Sequence, residues 1–285
     1  MFEQIPLIVA LGGSSLAAIY DLKTTEIPDK IPYAMAAIGL IFYIYLSVTT
    51  GNFLYLRDSV IVGFVFLGFG FAMYYFGQWG GGDAKVLSAI GFLLPTSQFS
   101  FSQTIFPFPL SYFINVFVVG AAYMLIYSFF YSLMNRRVLK YFSKDIKASS
   151  RIILLGSFLL FAVVFVLDSY LMNYFGYMSL RSAFFNSFLI LVLTIALFIV
   201  WKFAKSVEDV GFKKKIPVSK LKIGDILLGF KHLEGATEAQ VRKIKKSGKK
   251  FVWIKEGVRF APAFPLALLA TVYFGDIIFL IRLLI

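Results

Sequence analysis

Seven apolar runs in this 285-residue chain, near 5–20, 31–48, 59–77, 111–134, 151–172, 183–203 and 260–283, are each long enough to cross roughly 30 Å of hydrocarbon. Backbone amides have no water to bond inside lipid, so runs of this length satisfy them as helices. An eighth run, 84–94, follows three glycines and reaches most of the way across only if it continues or the bilayer thins locally. With 59% hydrophobic and 15% charged residues, an ordinary soluble domain is excluded. The 34 phenylalanines and 16 tyrosines suit lipid-facing and interfacial surfaces. The expected fold is an all-α polytopic membrane protein of about eight transmembrane segments, one of them short, with a small cytosolic α/β subdomain before the last helix. The first run lacks a basic leader and a small-residue cleavage site, and reads as a retained helix.

A net charge of +13 raises the question of nucleic acid, and the placement of the charge answers it. With eight crossings the loops alternate sides. Those at 21–30, 78–85, 135–151 and 202–259 hold 25 of the 28 basic residues, leaving Arg57, Arg181 and Arg282 for the other side. Positive charge collects in the cytosol. The chain is therefore expected in the cell membrane with both termini extracytoplasmic. Asp21 and Asp83 then share the cytosolic face, an agreement the count did not assume.

Four regions follow in order. Residues 1–95 form a compact core of short, closely connected apolar segments. Residues 96–204 add helices joined by a basic hairpin, Arg136 to Arg151, and read as scaffold. Residues 205–259 are polar, with 15 basic and 6 acidic positions. Leu221 to Leu228 reads there as turn then strand. Thr237-Glu238-Ala239-Gln240 is a capping box opening a helix to about Lys246, and Phe251 to Ile254 is a second strand. That surface is expected to face anionic membrane lipids, with a charged partner segment as the alternative. Nucleic acid ranks third, because aromatics are not interleaved with the basic residues along the chain. Residues 260–285 make the final helix, in which Pro262 and Pro265 mark helix entry.

The chemistry-bearing candidates are Asp21 and Asp83. A carboxylate at a membrane helix end is costly unless something employs it. Two that meet can share one proton and one water, with one removing a proton from the water and the other polarising a carbonyl. Gly80, Gly81 and Gly82 let another backbone lie close to the turn before Asp83. The plainer alternative makes Asp83 a cap for helix 84–94 and Asp21 a solvated loop residue. No cysteine and one histidine exclude disulfides, cysteine nucleophiles and cysteine-ligated zinc, and disfavour a histidine triad. No metal or organic cofactor is indicated. His232 lies in a polar stretch and reads as a surface residue, and Lys85 as a side chain reaching from the membrane edge to water. Asp168 and Asp276 fall toward the outer ends of their helices.

Gly80-x-Gly82-Asp83-x-Lys85, with an earlier Asp21 followed by Ile27-Pro28, resembles the type IV prepilin peptidase family of GxGD membrane aspartic proteases. The absence of cysteine is most similar to its archaeal preflagellin and prepilin branch. The resemblance is specific over roughly 1–95, with a weaker match at Leu221 to Asp225 and at Gly257 to Pro265. Asp29 departs from the asparagine the family often has after Ile-Pro. The resemblance implies that Asp21 and Asp83 are the catalytic pair and that Gly80 and Gly82 shape the active-site turn. It also implies a flagellin- or pilin-like precursor with a class III signal peptide, whose short basic leader is cut at the cytosolic face beside a hydrophobic helix.

Three alternatives stay open from sequence. Tyr20-Asp21, Gly80 to Asp83 and Pro265-Leu266-Ala267 loosely resemble a signal-peptide-peptidase or presenilin-like protease, which cuts within a membrane span. Intramembrane acids beside a glycine-broken short helix also occur in ion-coupled secondary transporters. A non-catalytic assembly scaffold would use the basic subdomain as its surface.

Overall fold

In a computed structural model, residues 4–96, 105–175, 180–228, 236–255 and 259–277 are described. The helices are α1 (Ile5–Thr24), α2 (Lys30–Thr50), α3 (Leu54–Tyr75), α4 (Gly81–Leu93), α5 (Phe108–Met134), α6 (Arg136–Tyr174), α7 (Leu180–Ser206), α8 (Glu238–Lys246) and α9 (Ala263–Phe274). The strands are β1 (Lys213–Pro217), β2 (Ile226–Leu227) and β3 (Phe251–Lys255). Six of the described helices, α1, α2, α3, α5, α6 and α7, are long and apolar enough to cross a membrane. The chain is an all-α polytopic membrane protein with a small α/β module, as its hydropathy predicts. The last apolar run is helical to Phe274, where Gly275 takes a φ of 67°. Residues 278–285 lie outside the described part.

The chain divides into two compact units, Met1–Ile126 with Lys215–Ile285, and Tyr127–Lys214. At the centre of the first unit stands α4, the short helix. Every residue from Asp83 to Leu93 except Lys85 is buried, against α3, α2 and α1. A helix of 13 residues is about 20 Å long and cannot span hydrocarbon by itself. Its apolar length is covered by neighbouring helices instead of lipid. Small residues permit the approach: a Cβ at Gly70 would lie 2.7 Å from Ala84 Cα, and one at Gly39 2.9 Å from the Phe92 carbonyl oxygen. Without a hydrophobic drive between helices in lipid, such close packing and side-chain hydrogen bonds supply the cohesion. The last carbonyls of α4 have no partner within the helix. Ser59 Oγ donates to Phe92 O at 2.6 Å and Tyr43 OH to Leu93 O at 3.0 Å, while Ser88 Oγ reaches Gly63 O on α3 at 2.9 Å.

In the same unit α9 packs on α1, and Phe264, Ala267 and Leu268 are fully buried in the main core. The α/β module is a sheet of order β1-β3-β2, with β2 antiparallel to β3. Its small core joins Leu221, Leu227, Ala236 and Val241, with Ile216, Ile244, Val252 and Ile254 around them. The capping box at Thr237 is present: Thr237 N–H donates to Gln240 Oε1 at 2.8 Å, and Gln240 N–H to Thr237 Oγ1 at 3.3 Å.

In the second unit the structure departs from the expected hairpin at 136–151. These residues are the first four turns of α6, and only Asn135 separates that helix from α5. Asn135 Oδ1 accepts the Arg137 N–H at 3.3 Å, capping the new helix. The physical reason is that arginine, lysine and leucine are good helix formers and no glycine or proline interrupts 136–155. Basic residues argue for a side of the membrane, not for a loop. An ion pair from Lys202 on α7 to Asp145 on α6, at 2.9 Å, ties this basic segment to its neighbour.

The tight seat of α4 is open to measurement. Gly70→Val forces α3 off Ala84 and is expected to lower the thermal unfolding midpoint in detergent, an overpacking cost of about 1–3 kcal/mol. Gly68, where an added Cβ meets nothing within 4 Å, is the control. Gly68→Ala is expected to leave the midpoint unchanged or raise it.

Candidate active site

Asp21 is the last member of a buried stripe on α1, after Pro6, Ala10, Ser14, Ala17 and Ala18. Steps of three and four residues keep these positions on one helix face. The stripe that seats α1 therefore delivers a carboxyl to the interior at the helix's final turn, where Asp21 is only 5% exposed. The chain then reverses sharply. Thr25, with φ 59°, is the one non-glycine residue at positive φ among those described, and its N–H donates to Asp21 O at 2.8 Å. A β-branched residue in the left-handed region is strained. Thr24 Oγ1 lies 2.9 Å from both Tyr20 O and Glu26 O, so its one proton can serve either carbonyl of this turn.

Asp83 stands in the first turn of α4. Gly80 before it is extended, with φ −76° and ψ 156°. Asp83 Oδ2 accepts the Gly80 N–H at 2.9 Å, and Asp83 N–H returns a bond to Gly80 O at 3.1 Å. The turn is closed on itself, and Asp83 does cap its helix. That role uses one oxygen. Oδ1 is buried and meets no hydrogen-bond partner among the described residues. Among the described residues Asp276 Oδ1 shares this property, and what sets Asp83 apart is a second carboxyl acting on it.

The three glycines are not equivalent. A Cβ at Gly82 would lie 2.9 Å from Ile27 Cβ and 3.1 Å from its Cδ1, closer than real side chains approach. At Gly80 it would lie 3.2 Å from Asp83 Oδ2, while at Gly81 its nearest neighbour is Tyr74 at 3.9 Å, an ordinary contact. Packing demands glycine at 82, leaves position 80 tight against the Asp83 carboxyl, and leaves position 81 unconstrained. The Ile27–Gly82 contact seats the loop after Asp21 on the turn before Asp83. Lys85 adds a second tie: its Nζ meets Asp29 Oδ1 at 2.6 Å and lies 5.4 Å from the Tyr33 ring centre. Lys85, expected to reach from the membrane edge to water, also ties α4 to the residue before α2. Asp29, the departure from the family pattern, is the partner that makes this possible. The result is that Asp21 lies near enough to act electrostatically on Asp83.

The segment entering α9, whose prolines the sequence marks as a helix entry ahead of any part in a substrate groove, forms a third wall. Ala261 N–H donates to Asp21 Oδ2 at 3.0 Å in a buried setting, and the positive charge of Arg259 acts on the same carboxyl. Phe260 stacks on Trp79, the residue before Gly80, at 5.4 Å and 29°. Trp79 also stacks on Phe117 and meets Phe264 edge-on. Gly120 makes room, since a Cβ there would lie 2.8 Å from the Phe260 ring. The one sequence signal for this wall was the stretch Gly257 to Pro265, which was recognisable as a pattern but not as a hydrogen-bond donor.

The structure thus gathers Asp21, Gly80, Gly82 and Asp83. Pro262 and Pro265 mark the entry of α9, as expected. Asp276 lies beyond the far end of α9, about 18 Å along the helix, where its Oδ2 accepts the N–H groups of Ile105 and Phe106. Asp168 accepts a bond from Asn186 Nδ2 within the second unit. His232 lies outside the described residues. Among those described, no group of three or more histidine, cysteine or acidic residues could hold a metal ion. Two buried carboxyls close enough to interact electrostatically, each accepting a main-chain N–H, are the kind of groups acid–base chemistry uses.

Comparison with known proteins points the same way. Residues 8–134 match the type IV leader peptidase family, a stretch that includes both aspartates and the glycine turn. Over 141 residues the chain is 35% identical to the preflagellin peptidase of Methanococcus voltae, covering 46% of this chain and 60% of that one. It is 44% identical over 93 residues to the preflagellin peptidase of Methanocaldococcus jannaschii, covering 32% and 39%. It is 25% identical over 148 residues to the prepilin peptidase EppA of Methanothermobacter thermautotrophicus, covering 48% and 38%. Each alignment spans less than two thirds of the relative's own length.

The glycine analysis predicts an asymmetry within the turn. Gly82→Ala is expected to destabilise the protein by about 1–3 kcal/mol, as overpacked sites do, while Gly81→Ala leaves it near wild type. Combined with Ile27→Ala, the Gly82→Ala penalty should shrink. Thermal unfolding of the two single variants and the double variant checks this coupling.

Proposed function

We propose that the chain is a membrane-embedded aspartic endopeptidase. It removes short basic leader peptides from preflagellin or type IV pilin-like precursors carrying a class III signal peptide. The observation that supports this most is the pairing of two buried carboxyls from distant stretches, one of which keeps an oxygen free, inside the segment that matches the leader peptidases.

In this reading Asp21 and Asp83 share one water. Asp21, whose Oδ2 accepts the buried Ala261 N–H, is assigned the ionised role and takes a proton from that water. Asp83, whose Oδ1 meets no donor, suits the protonated role and gives its proton to the scissile carbonyl oxygen. The hydroxyl adds to the carbonyl carbon, and the proton held by Asp21 passes to the leaving nitrogen as the C–N bond breaks. Collapse of the intermediate frees the new acid and returns a proton to Asp83. Gly80 and Gly82 shape the turn against which a substrate strand lies. The distribution of 25 of 28 basic residues supports an active site at the cytosolic face and termini on the other side. A precursor held in the bilayer by its apolar helix would present its leader junction at that depth.

The test is cleavage of a panel of precursors with class III signal sequences by the chain reconstituted in lipid. Asp21→Asn and Asp83→Asn are each expected to stay folded and inserted while losing about 10²–10⁴-fold in rate, the usual contribution of one acid–base group. Retained cleavage in either variant would reject the mechanism. The rate should fall at both ends of the pH range. Acid protonates the carboxylate that must accept a proton, and alkali ionises the one that must donate.

A further inference from the structure

The sheet of the α/β module has one covered face and one open face. Side chains alternate along a strand. Val252 and Ile254 of β3 join the small core on the side where Val241 and Ile244 of α8 also pack. The alternate positions, Phe251 and Trp253, are each 53% exposed. Lys215 on β1 lies over the Phe251 ring at 5.0 Å, and Lys249 and Lys250, just before β3, are exposed. Read along the chain, the aromatics are not interleaved with the basic residues. The pleat interleaves them, by bringing β1 and alternate residues of β3 to one surface.

Two exposed rings beside ammonium groups are poorly matched to bulk water. They are well matched to the interfacial layer of a bilayer, where tryptophan sits at headgroup depth and lysine meets lipid phosphate. The tether points to the same occupant. From Lys255 to Ala263 the chain can extend about 27 Å at most, and α9 packs on the membrane-crossing helix α1. The module cannot move far from the membrane. Single-stranded nucleic acid uses similar ingredients, but nothing tethers it here.

We propose that this open face, formed by Phe251, Trp253 and Lys215, docks on anionic phosphate headgroups of the leaflet that the chain itself spans. The rings enter the interfacial layer and the lysines engage phosphate. This inference rests on the exposed sheet and its tether, and is independent of whether the aspartates cleave a leader.

The chain contains no cysteine, so one introduced thiol can be labelled alone. Trp253→Cys carries an environment-sensitive fluorophore in the full chain, in nanodiscs of phosphatidylcholine with or without phosphatidylglycerol. Lys243→Cys, on the exposed side of α8, is the control. Phosphatidylglycerol is expected to shift the emission at 253 to the blue and shield it from acrylamide, leaving 243 unshielded. Adding Lys215→Gln should restore quenching about five-fold, the scale for one basic residue at an anionic surface. Equal quenching at 253 in the two lipids would overturn the proposal. So would shielding that appears only when a single-stranded RNA is added.

Discussion

The contact between Ile27 and Gly82 is the constraint on which the site depends. Asp21 closes one helix and Asp83 opens another, with 61 residues between them, and neither carboxyl has any intrinsic reason to approach the other. Two like charges in a low-dielectric setting would repel. What brings them together is packing. Ile27, six residues after Asp21, fills the space that only a glycine leaves at position 82, one residue before Asp83. The ion pair from Lys85 to Asp29 repeats the tie one step further along both segments. It is partly exposed and contributes register more than stability, since such pairs are worth little in water.

A second dependency runs through α4. A catalytic carboxyl in lipid needs a rigid, water-poor setting and also a route to solvent. A short helix enclosed by α1, α2 and α3 supplies the first of these. It has too few turns to span the bilayer, so its first turn can stand at a membrane edge while its length remains packed. The glycines and serines along it exchange side-chain volume for close backbone approach, and Ser59 and Tyr43 satisfy its terminal carbonyls. Removing the enclosure would leave those carbonyls facing hydrocarbon, where unmet backbone groups cost several kcal/mol each.

What the sequence made legible divides along a physical line. Apolar length reveals helices, so α1 to α5, α7 and the start of α9 were readable. Local rules reveal caps, so Thr237 and its helix were readable as well. The catalytic candidates showed themselves because an acid beside three glycines is conspicuous in an apolar chain. Contacts between distant segments were not readable. Asp29 registered as a departure from a pattern because its partner lies 56 positions away. The basic start of α6 reads as a hairpin from sequence, because charge argues for a side of the membrane and says nothing against a helix. Ala261 is legible only as one position of the Gly257 to Pro265 pattern: what it contributes is a main-chain N–H, which every residue but proline possesses.

That last point bears on how the site is built. Each aspartate is oriented by a backbone donor, Asp83 by Gly80 and Asp21 by Ala261, not by a neighbouring side chain. A main-chain donor is only as well placed as the segment that holds it. Here the holding groups are aromatic: Phe260 lies between Ala261 and the Arg259 charge in sequence, and its ring stacks on Trp79, which leads directly into Gly80. One aromatic contact therefore couples the two donors. A shift of the segment before α9 would move both carboxyls' hydrogen bonds together. The pair is best understood as one object with a common support, not as two independently placed acids.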